Sequence, residues 1–149
     1  WRRIDLRITL LDIHPLTCAV AAADFAIEPR ITVQQGDLYA LPAHATDIVT
    51  ASLVLHHFSP PDVPTVLRAM RRAARLGVVV NDLHRHPIAW LGIVALTRLF
   101  SRNRMIRHDA PLSVARGFRA ADLEAVRRDP ALAHLRYHWR PLFRYLMIL

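Results

Sequence analysis

Strand-like and helix-like stretches alternate along the first part of this chain. A continuous apolar run, Ile8 to Ile13, has the character of a strand buried on both faces. Pro15 then begins a predicted helix whose apolar residues recur at helical spacing, at Leu16, Val20, Ala23 and Ile27. Ile31 to Gln35 is a second predicted strand, and a loop from Leu38 to Pro42 follows it. This alternation predicts an α/β fold with a mostly parallel sheet.

The same pattern continues through the middle of the chain. Asp47 to Leu53 is predicted to be the third strand, and Leu76 to Asp82 the fourth. Between them, Ser59-Pro60-Pro61-Asp62 predicts the start of an amphipathic helix that runs to about Arg75. The residues predicted to share its apolar face are Val63, Val66, Leu67, Met70 and Ala74. The arginines predicted for the solvent side, where they need no ligand, are Arg68, Arg71, Arg72 and Arg75.

The last third of the chain is more varied. Pro87 to Phe100 predicts a helix that is apolar nearly all round, which implies burial or contact with something apolar. Trp90 and the helix around it favour a core, or the wall of a pocket, over a membrane anchor. The segments that follow are predicted as a polar linker (102–119), a short helix (120–128) and an antiparallel strand pair (135–149) broken near Pro141. The pattern contains no interdomain linker.

Composition narrows the classes of function. The net charge of +8 comes from 20 basic residues, all of them arginine. They are scattered and not interleaved with aromatic residues, so codon bias in a GC-rich genome explains them better than a nucleic-acid site. Cys18 is the single cysteine, which excludes an internal disulfide and a cysteine zinc site and favours a reducing cytoplasm. We see no secretory signal and no apolar run of the roughly 20 residues that a membrane span needs.

Two successive predicted strands are each followed by an aspartate. Asp12 ends the first strand, and Asp37 comes directly after the second. The carboxyl ends of adjacent parallel strands lie along the edge where open α/β sheets bind ligands, and carboxylates there suit the hydroxyls and amine of a nucleoside. The simpler alternatives are a helix N-cap for Asp12 and a turn residue for Asp37. Taken together, the two aspartates favour a nucleoside cofactor.

The order of these segments resembles a class I S-adenosylmethionine-dependent methyltransferase of the small-molecule type. The segments that carry the resemblance are Leu10 to Pro15, Gln35 to Leu38, Asp47 to Phe58, and Arg68 to Asp82. The resemblance implies a Rossmann-like three-layer sandwich with a mostly parallel sheet, a C-terminal antiparallel strand pair and S-adenosylmethionine as cofactor. The first strand of that family and its glycine-rich loop have no counterpart here. We therefore expect residues 1–149 to be a single partial methyltransferase domain, truncated at its N-terminus.

The resemblance also implies roles for individual residues. Asp12 would hold the ribose hydroxyls, and Asp37 would accept from the adenine amine with Leu38 beside the ring. Ser52 and Leu53 would approach the methionine part of the cofactor and the acceptor. The complete implied cofactor-binding set is Asp12, His14, Asp37, Leu38, Ser52 and Leu53.

Histidines are the candidate catalytic bases. Methyl transfer from a sulfonium is an in-line displacement, so the protein mainly positions the acceptor, and a base helps where the acceptor is a hydroxyl. The candidates are His56, His57, His84 and His86. The alternative for His56 and His57 is a strand-to-helix junction with one ring buried and one exposed, and for His84 and His86 a polar helix start. We expect no metal site, because adjacent side chains diverge and no co-ligands are evident.

Three functions stay open from the sequence. The first is a methyltransferase acting on an oxygen or carbon of a small hydrophobic metabolite, with no nucleic-acid partner, no integral membrane span and no predicted oligomeric state. The second is a non-catalytic relic or interaction domain of the same fold. The third is a nicotinamide-dependent Rossmann oxidoreductase, since an acid at the second strand end also serves ribose recognition there. The segments Gly36 to Leu38 and Leu55 to Phe58 fit the third function less well.

Overall fold

The computed structural model describes residues 5–149 and divides the chain into two compact units, residues 1–41 and 42–149. The elements of the first unit are β1 (Ile8–Asp12), α1 (Pro15–Asp24), β2 (Ile31–Gln35) and a 3₁₀ turn (Leu38–Ala40). β1 and β2 pair in parallel, with Asp12 opposite Gln35. The two predicted strands and the helix between them are therefore confirmed.

The first unit has no buried residue between positions 5 and 41. The prediction that the first strand is buried on both faces is wrong, because Ile8 is 39% exposed and Ile13, just past the strand, is 68% exposed. Among the described residues β1 is hydrogen-bonded along one edge, to β2, and it packs against α1. The helix ends at Asp24, before the predicted apolar position Ile27, which is 95% exposed.

The second unit is built on a four-stranded mixed sheet. Its strands are β3 (Thr46–Ser52), β4 (Ala74–Leu83), β5 (Arg136–Arg140) and β6 (Arg144–Ile148). Its helices are α2 (Val63–Ala73), α3 (Pro87–Phe100), α4 (Arg104–Arg116) and α5 (Ala120–Val126), with 3₁₀ turns at Leu55–His57 and Pro130–Leu132. The strand order is β3-β4-β6-β5; β3 and β4 are parallel, and β6 is antiparallel to both neighbours. The predicted parallel sheet with a C-terminal antiparallel pair is confirmed.

The core of the second unit lies where α2 packs on the sheet. Leu67 of α2 and Val78 and Val80 of β4 are at most 1% exposed. The buried residues of α2 are Val63, Val66, Leu67, Ala69, Met70 and Ala73, which confirms the predicted amphipathic helix. Its arginines find carboxylates close by, since Arg68 pairs with Asp129, and Arg75, just beyond the helix, pairs with Asp47. Arg68 and Arg75 thus have carboxylate partners within the described chain.

The predicted polar linker at residues 102–119 is wrong, because most of it forms α4. Asn103 caps this helix, its Oδ1 accepting from the Met105 amide at 2.9 Å. The helix contains Pro111 and few apolar residues, so the hydrophobic periodicity of the sequence does not indicate it. Packing against α3 stabilises it. Gly117 ends it, and a Cβ there would meet the Leu83 carbonyl oxygen at 2.7 Å. Only glycine allows this close approach to the end of β4.

α3 has the predicted bounds but not the predicted burial. Thr97 is its buried residue, whereas Leu99 is 76% and Phe100 81% exposed. The interpretation of α3 as core is therefore wrong for the described part of the chain. No helix among residues 5–149 combines the length and the apolar character needed to cross a bilayer.

Candidate functional site

The carboxyl-terminal edge of the first unit carries both predicted aspartates. β1 ends at Asp12, and Asp37 lies two residues beyond Gln35, the strand partner of Asp12. The Gly36 amide donates to the Asp12 carbonyl oxygen at 3.0 Å, so the chain leaves β2 directly beside the end of β1. Since neighbouring strands lie about 4.8 Å apart, the two carboxylates follow one edge of this small sheet.

Each of these carboxylates uses one oxygen on the local backbone. Asp12 Oδ1 accepts from the His14 amide at 2.7 Å, and Asp37 Oδ1 accepts from the Tyr39 amide at 2.9 Å. Within residues 5–149, no hydrogen bond engages the second oxygen of either carboxylate. The N-cap of α1 is His14 rather than Asp12, whereas Asp37 does cap the 3₁₀ turn. Each aspartate therefore has one carboxylate oxygen without a hydrogen-bond partner among the described residues, which fits the hydroxyl and amine donors of a nucleoside.

Two further predicted residues lie beside these aspartates. His14 is exposed, and its side chain makes no capping hydrogen bond at the start of α1. Leu38 is half-buried and begins the 3₁₀ turn after Asp37. The first unit thus brings an imidazole, an apolar side chain and two carboxylates to neighbouring positions.

The carboxyl end of β3 carries the other predicted cofactor residues. β3 ends at Ser52, which lies opposite Asn81 of β4. Asn81 Nδ2 donates to the Ser52 hydroxyl at 3.2 Å, and the backbone carbonyl oxygen of Asn81 accepts from the Leu53 amide at 2.9 Å. Leu53 has a φ of 58°, in the left-handed region that non-glycine residues seldom adopt. Strained positions of this kind cluster at ligand sites, and this one turns the chain sharply off the sheet and leaves both residues exposed.

A buried carboxylate, Asp82, organises this end of the second sheet, and the sequence interpretation gave it no role. Asp82 lies near the end of β4 and is 0% exposed. Its Oδ1 accepts from His56 Nδ1 at 2.7 Å, and its Oδ2 accepts from the Leu55 amide at 2.7 Å. Because a carboxylate only accepts, the proton of this contact lies on His56 Nδ1. The available signal was an aspartate that closes the apolar run Val78 to Val80.

The two adjacent histidines differ in environment. His56 is buried, and its Nδ1 is engaged by Asp82, so the ring holds the 3₁₀ turn in place. His57 is exposed, and its ring centroid lies 4.2 Å from that of His56. Partial desolvation and the neighbouring His56 hold the pKa of His57 below its ordinary value, so its imidazole is neutral at pH 7. One ring is buried and one exposed, as the structural alternative predicts.

The other two histidines follow β4. His86 caps α3, its Nδ1 accepting from the Ile88 amide at 3.2 Å, and its ring stacks on Phe143. The His84 ring lies 4.8 Å from that of Tyr145, and burial, with His86 nearby, lowers the pKa of His84. Its Nδ1 is buried without a hydrogen-bond partner among the described residues. The predicted polar helix start is therefore present at His86, and His84 is the member of this pair with an unused ring nitrogen.

One cavity of about 350 Å³ lies at the opposite end of β4 from these residues. It is lined chiefly by apolar residues at the start of β4 and the end of β6, including Leu76, Val78 and Ile148. None of the predicted site residues lines it. Between residues 5 and 149, no three His, Cys, Asp or Glu side chains are grouped so that they could hold a metal ion.

Solved structures share this fold at low sequence identity. An S-adenosylmethionine-dependent methyltransferase from Aquifex aeolicus is 9% identical with a TM-score of 0.61, over 95% of this chain and 67% of that one. An O-methyltransferase family 2 protein from Planctomyces limnophilus is 16% identical with a TM-score of 0.61, over 95% and 42%. A Rhodobacter sphaeroides protein described as a Zn-dependent alcohol dehydrogenase is 13% identical with a TM-score of 0.64, over 95% and 74%. The chain thus spans between 42% and 74% of these proteins.

Sequence comparison separates the enzyme classes that share the fold. No curated protein gives a significant match. The family described as "Methyltransferase domain" matches residues 1–77, just over half of the 149-residue chain. The structural neighbours have the Rossmann-like architecture that the resemblance implies, and they include S-adenosylmethionine-dependent methyltransferases. The chain belongs to the methyltransferase domain family, and it shares its fold with S-adenosylmethionine-dependent methyltransferases.

Proposed function

We propose that this domain transfers a methyl group from S-adenosylmethionine to an oxygen or carbon atom of a small hydrophobic metabolite. The observation that carries the proposal is the pair Asp12 and Asp37, which lie along one sheet edge with one carboxylate oxygen open on each. The cofactor supplies an electrophilic methyl group when bound. The contribution of the chain is to hold the nucleoside and to orient the acceptor for an in-line displacement.

In this proposal the first unit binds the nucleoside part of the cofactor. Asp12 accepts from the ribose hydroxyls, and its half-buried position strengthens these hydrogen bonds. Asp37 accepts from the adenine amine, and Leu38 packs against the ring. His14 contributes a further polar group at the same edge. The spacing along the edge supports this assignment, because ribose and adenine are neighbouring parts of one ligand.

The second unit carries candidate residues of its own. Ser52 and Leu53 approach the methionine part of the cofactor and the acceptor. His57 is the base that we propose for a hydroxyl acceptor, since its ring is exposed and its lowered pKa keeps it ready to take a proton. His56 is buried, and His86 uses its Nδ1 to cap α3, which argues against both as the base.

The hydrophobic character of the acceptor is supported by the apolar surface that follows β4. α3 presents Ile88 and Leu91, 64% and 60% exposed, within its first two turns. The Planctomyces limnophilus neighbour was solved in complex with apigenin, which supports a small organic acceptor. A nicotinamide-dependent function is supported by the shared fold and by the acid at a strand end, but the family that matches the sequence is a methyltransferase family.

Calorimetric titration of the 149-residue chain with S-adenosylhomocysteine and with NAD tests the cofactor assignment. We expect heat from S-adenosylhomocysteine and none from NAD. Asp12→Ala should weaken binding about 10- to 100-fold, because it removes charge-assisted hydrogen bonds to two hydroxyls. Asp24→Ala is the matched control, since it makes the same change at an exposed residue ending α1. Binding of NAD alone, lost in Asp12→Ala, would favour the oxidoreductase alternative, and binding of neither ligand would overturn the cofactor assignment for this chain.

Release of S-adenosylhomocysteine with a panel of phenols and β-diketones tests the acceptor chemistry and the base. We expect His57→Gln to lower kcat for a phenol about 10²- to 10⁴-fold, with the binding of S-adenosylhomocysteine unchanged. The kcat of the unaltered chain should rise with pH with a midpoint below pH 6.5, because the neutral form of His57 is the active one and its pKa is lowered from 6.5. His138→Gln, at an exposed position of β5, is the control. Full activity in His57→Gln would remove His57 as the base.

A further inference from the structure

The end of the α3–α4 hairpin is an unusual surface. α3 and α4 pack against each other, and Arg107 of α4 donates to the Arg98 carbonyl oxygen of α3 at 3.0 Å across the connection. We define residues 96–107 as the hairpin tip. It comprises the last turn of α3, the connection at 101–103 and the first turn of α4.

The hairpin tip exposes five large apolar side chains within a short stretch of sequence. Its apolar residues and their exposed fractions are Leu96 54%, Leu99 76%, Phe100 81%, Met105 66% and Ile106 45%. So many exposed large apolar side chains at one end of a helix pair usually mark an interaction surface rather than ordinary protein surface. Burial of these side chains against a partner would therefore be energetically favourable.

The charge of the hairpin tip is entirely positive. It contains Arg98, Arg102, Arg104 and Arg107, all exposed, and the sequence has no acidic residue from position 83 to position 108. Elsewhere in the second unit, Arg68, Arg75 and Arg85 have carboxylates as partners. Within residues 5–149, none of the four tip arginines lies within salt-bridge distance of a carboxylate. The tip thus presents four uncompensated positive charges around an apolar centre.

We propose that the hairpin tip docks on an anionic lipid bilayer. Apolar side chains beside arginines are the combination that an interface of acyl chains and anionic headgroups accommodates, with the apolar groups inserted and the guanidinium groups on the phosphates. The tip lies on the surface, since the 14 residues of α3 are fewer than the roughly 20 needed to span a bilayer.

Two other occupants are disfavoured by the same residues. A second copy docked tip to tip would place four arginines against four arginines without a compensating carboxylate. A nucleic acid would use the arginines but would leave Leu99, Phe100 and Met105 without an apolar partner. A lipid surface offers phosphates to the arginines and acyl chains to the apolar side chains. Docking on it does not depend on the proposed function, because it requires neither cofactor nor acceptor.

Vesicle co-sedimentation of the 149-residue chain tests the proposal. We expect binding to vesicles of equal parts phosphatidylcholine and phosphatidylglycerol, and little binding to phosphatidylcholine alone. Arg102→Gln with Arg104→Gln should weaken binding about 30-fold, at about 1 kcal/mol for each arginine near the surface. Leu99→Ser with Phe100→Ser should weaken it about 10-fold or more, through lost burial of apolar area. Both changes fall on highly exposed positions, so circular dichroism should show an unchanged fold.

Matched control variants test whether the loss of vesicle binding is specific to the hairpin tip. Arg128→Gln with Arg140→Gln removes the same charge at exposed positions outside the hairpin, and Leu76→Ser removes an apolar side chain that is 67% exposed at the start of β4. Both control variants should bind vesicles like the unaltered chain. Equal loss in the controls would overturn the proposal. So would binding to a single-stranded RNA but not to vesicles, or a dimer that Leu99→Ser with Phe100→Ser dissociates and that shows no vesicle binding.

Discussion

The two compact units of this domain differ in how their secondary structure is supported. Between residues 5 and 41, two parallel strands and a helix form without one buried side chain. The second unit contains every buried residue of the described chain, from Leu55 to Met147. Both units carry proposed cofactor residues at the carboxyl ends of parallel strands. The difference teaches that the edge proposed to bind the nucleoside is formed by local strand pairing, whereas the end of β3 is set into a packed core.

The size of the first unit explains part of this difference. A segment of about 40 residues buries too little surface to be stable without a disulfide, a metal or a partner. Cys18 is half-buried and has no cysteine to pair with. We therefore expect the second unit to dominate the stability of the chain and the first unit to respond most to ligand.

The largest effect on stability is expected at Asp82. Asp82→Ala leaves His56 Nδ1 and the Leu55 amide buried without their acceptor, which should cost roughly 3–5 kcal/mol of unfolding free energy. The matched control is Asp47→Ala, which breaks an exposed pair with Arg75 and should cost at most about 1 kcal/mol. Urea unfolding followed by circular dichroism measures both. Equal losses would mean that the buried carboxylate does not anchor the second unit.

A pair of leucine substitutions tests the contrast between the units directly. Leu67→Ala in α2 removes a side chain that is 0% exposed and should cost about 2–5 kcal/mol. Leu16→Ala in α1 removes one that is 66% exposed and should change the free energy of unfolding by less than about 0.5 kcal/mol. The same urea experiment compares them. A cost for Leu16→Ala that approached that of Leu67→Ala would show that the first unit has a core of its own.

The same contrast separates what the sequence predicts from what it does not. β2 and α3 have the bounds that the pattern predicts, because propensity and the flanking prolines or glycines are local signals. The positions of Asp12 and Asp37 at adjacent strand ends follow from the same local signals. The sequence thus predicts the elements of the first unit well but not their exposure, since burial depends on what packs against each face.

The contacts that organise the second unit are non-local, and the sequence does not predict them. Asp82 and His56 are 26 residues apart, and they meet because β3 and β4 pair in parallel. α4 is hidden by Pro111 and its polar composition, and its support comes from α3. A strand-ending aspartate was visible at position 82, but only the strand pairing shows that it faces inward rather than toward a ligand.

Hydrogen exchange should resolve the two units and their response to ligand. Without ligand, amides of β1 should exchange much faster than those of β4, because only the latter belong to a core. S-adenosylhomocysteine at about 100 times its Kd should add up to about 2.7 kcal/mol of protection, and most of the gain should fall in β1 and β2. Asp12→Ala should reduce this gain to about 0.4–1.4 kcal/mol at the same ligand concentration, because its binding is about 10- to 100-fold weaker. Uniform protection of both units without ligand would contradict the contrast.

The smallest expected effect concerns the ion pair between Glu28 and Arg30. Its formation shows whether the first unit is locally ordered although it lacks a core. Arg30 donates from Nε and Nη2 to the two oxygens of Glu28, at 2.8 and 2.9 Å. These hydrogen bonds lower the pKa of Glu28 from 4.5 to about 2. Since the folded pKa is the lower one, the pair stabilises the fold above pH 4.5, and this contribution is lost as the pH falls toward 2.

NMR titration of the Glu28 carboxyl measures this pKa, and Arg30→Gln should return it toward 4.5. Glu124 of α5 is the reference in the second unit, where hydrogen bonds from Tyr137 and Arg127 also lower its pKa. If the turn between α1 and β2 were frayed, the hydrogen bonds from Arg30 to Glu28 would form only part of the time. The pKa of Glu28 would then approach its ordinary value, whereas the pKa of Glu124 would stay lowered. A full shift at Glu28 together with fast exchange in β1 would show that a local turn persists where the unit has no core, because the pair needs only residues 28–30 to be in place.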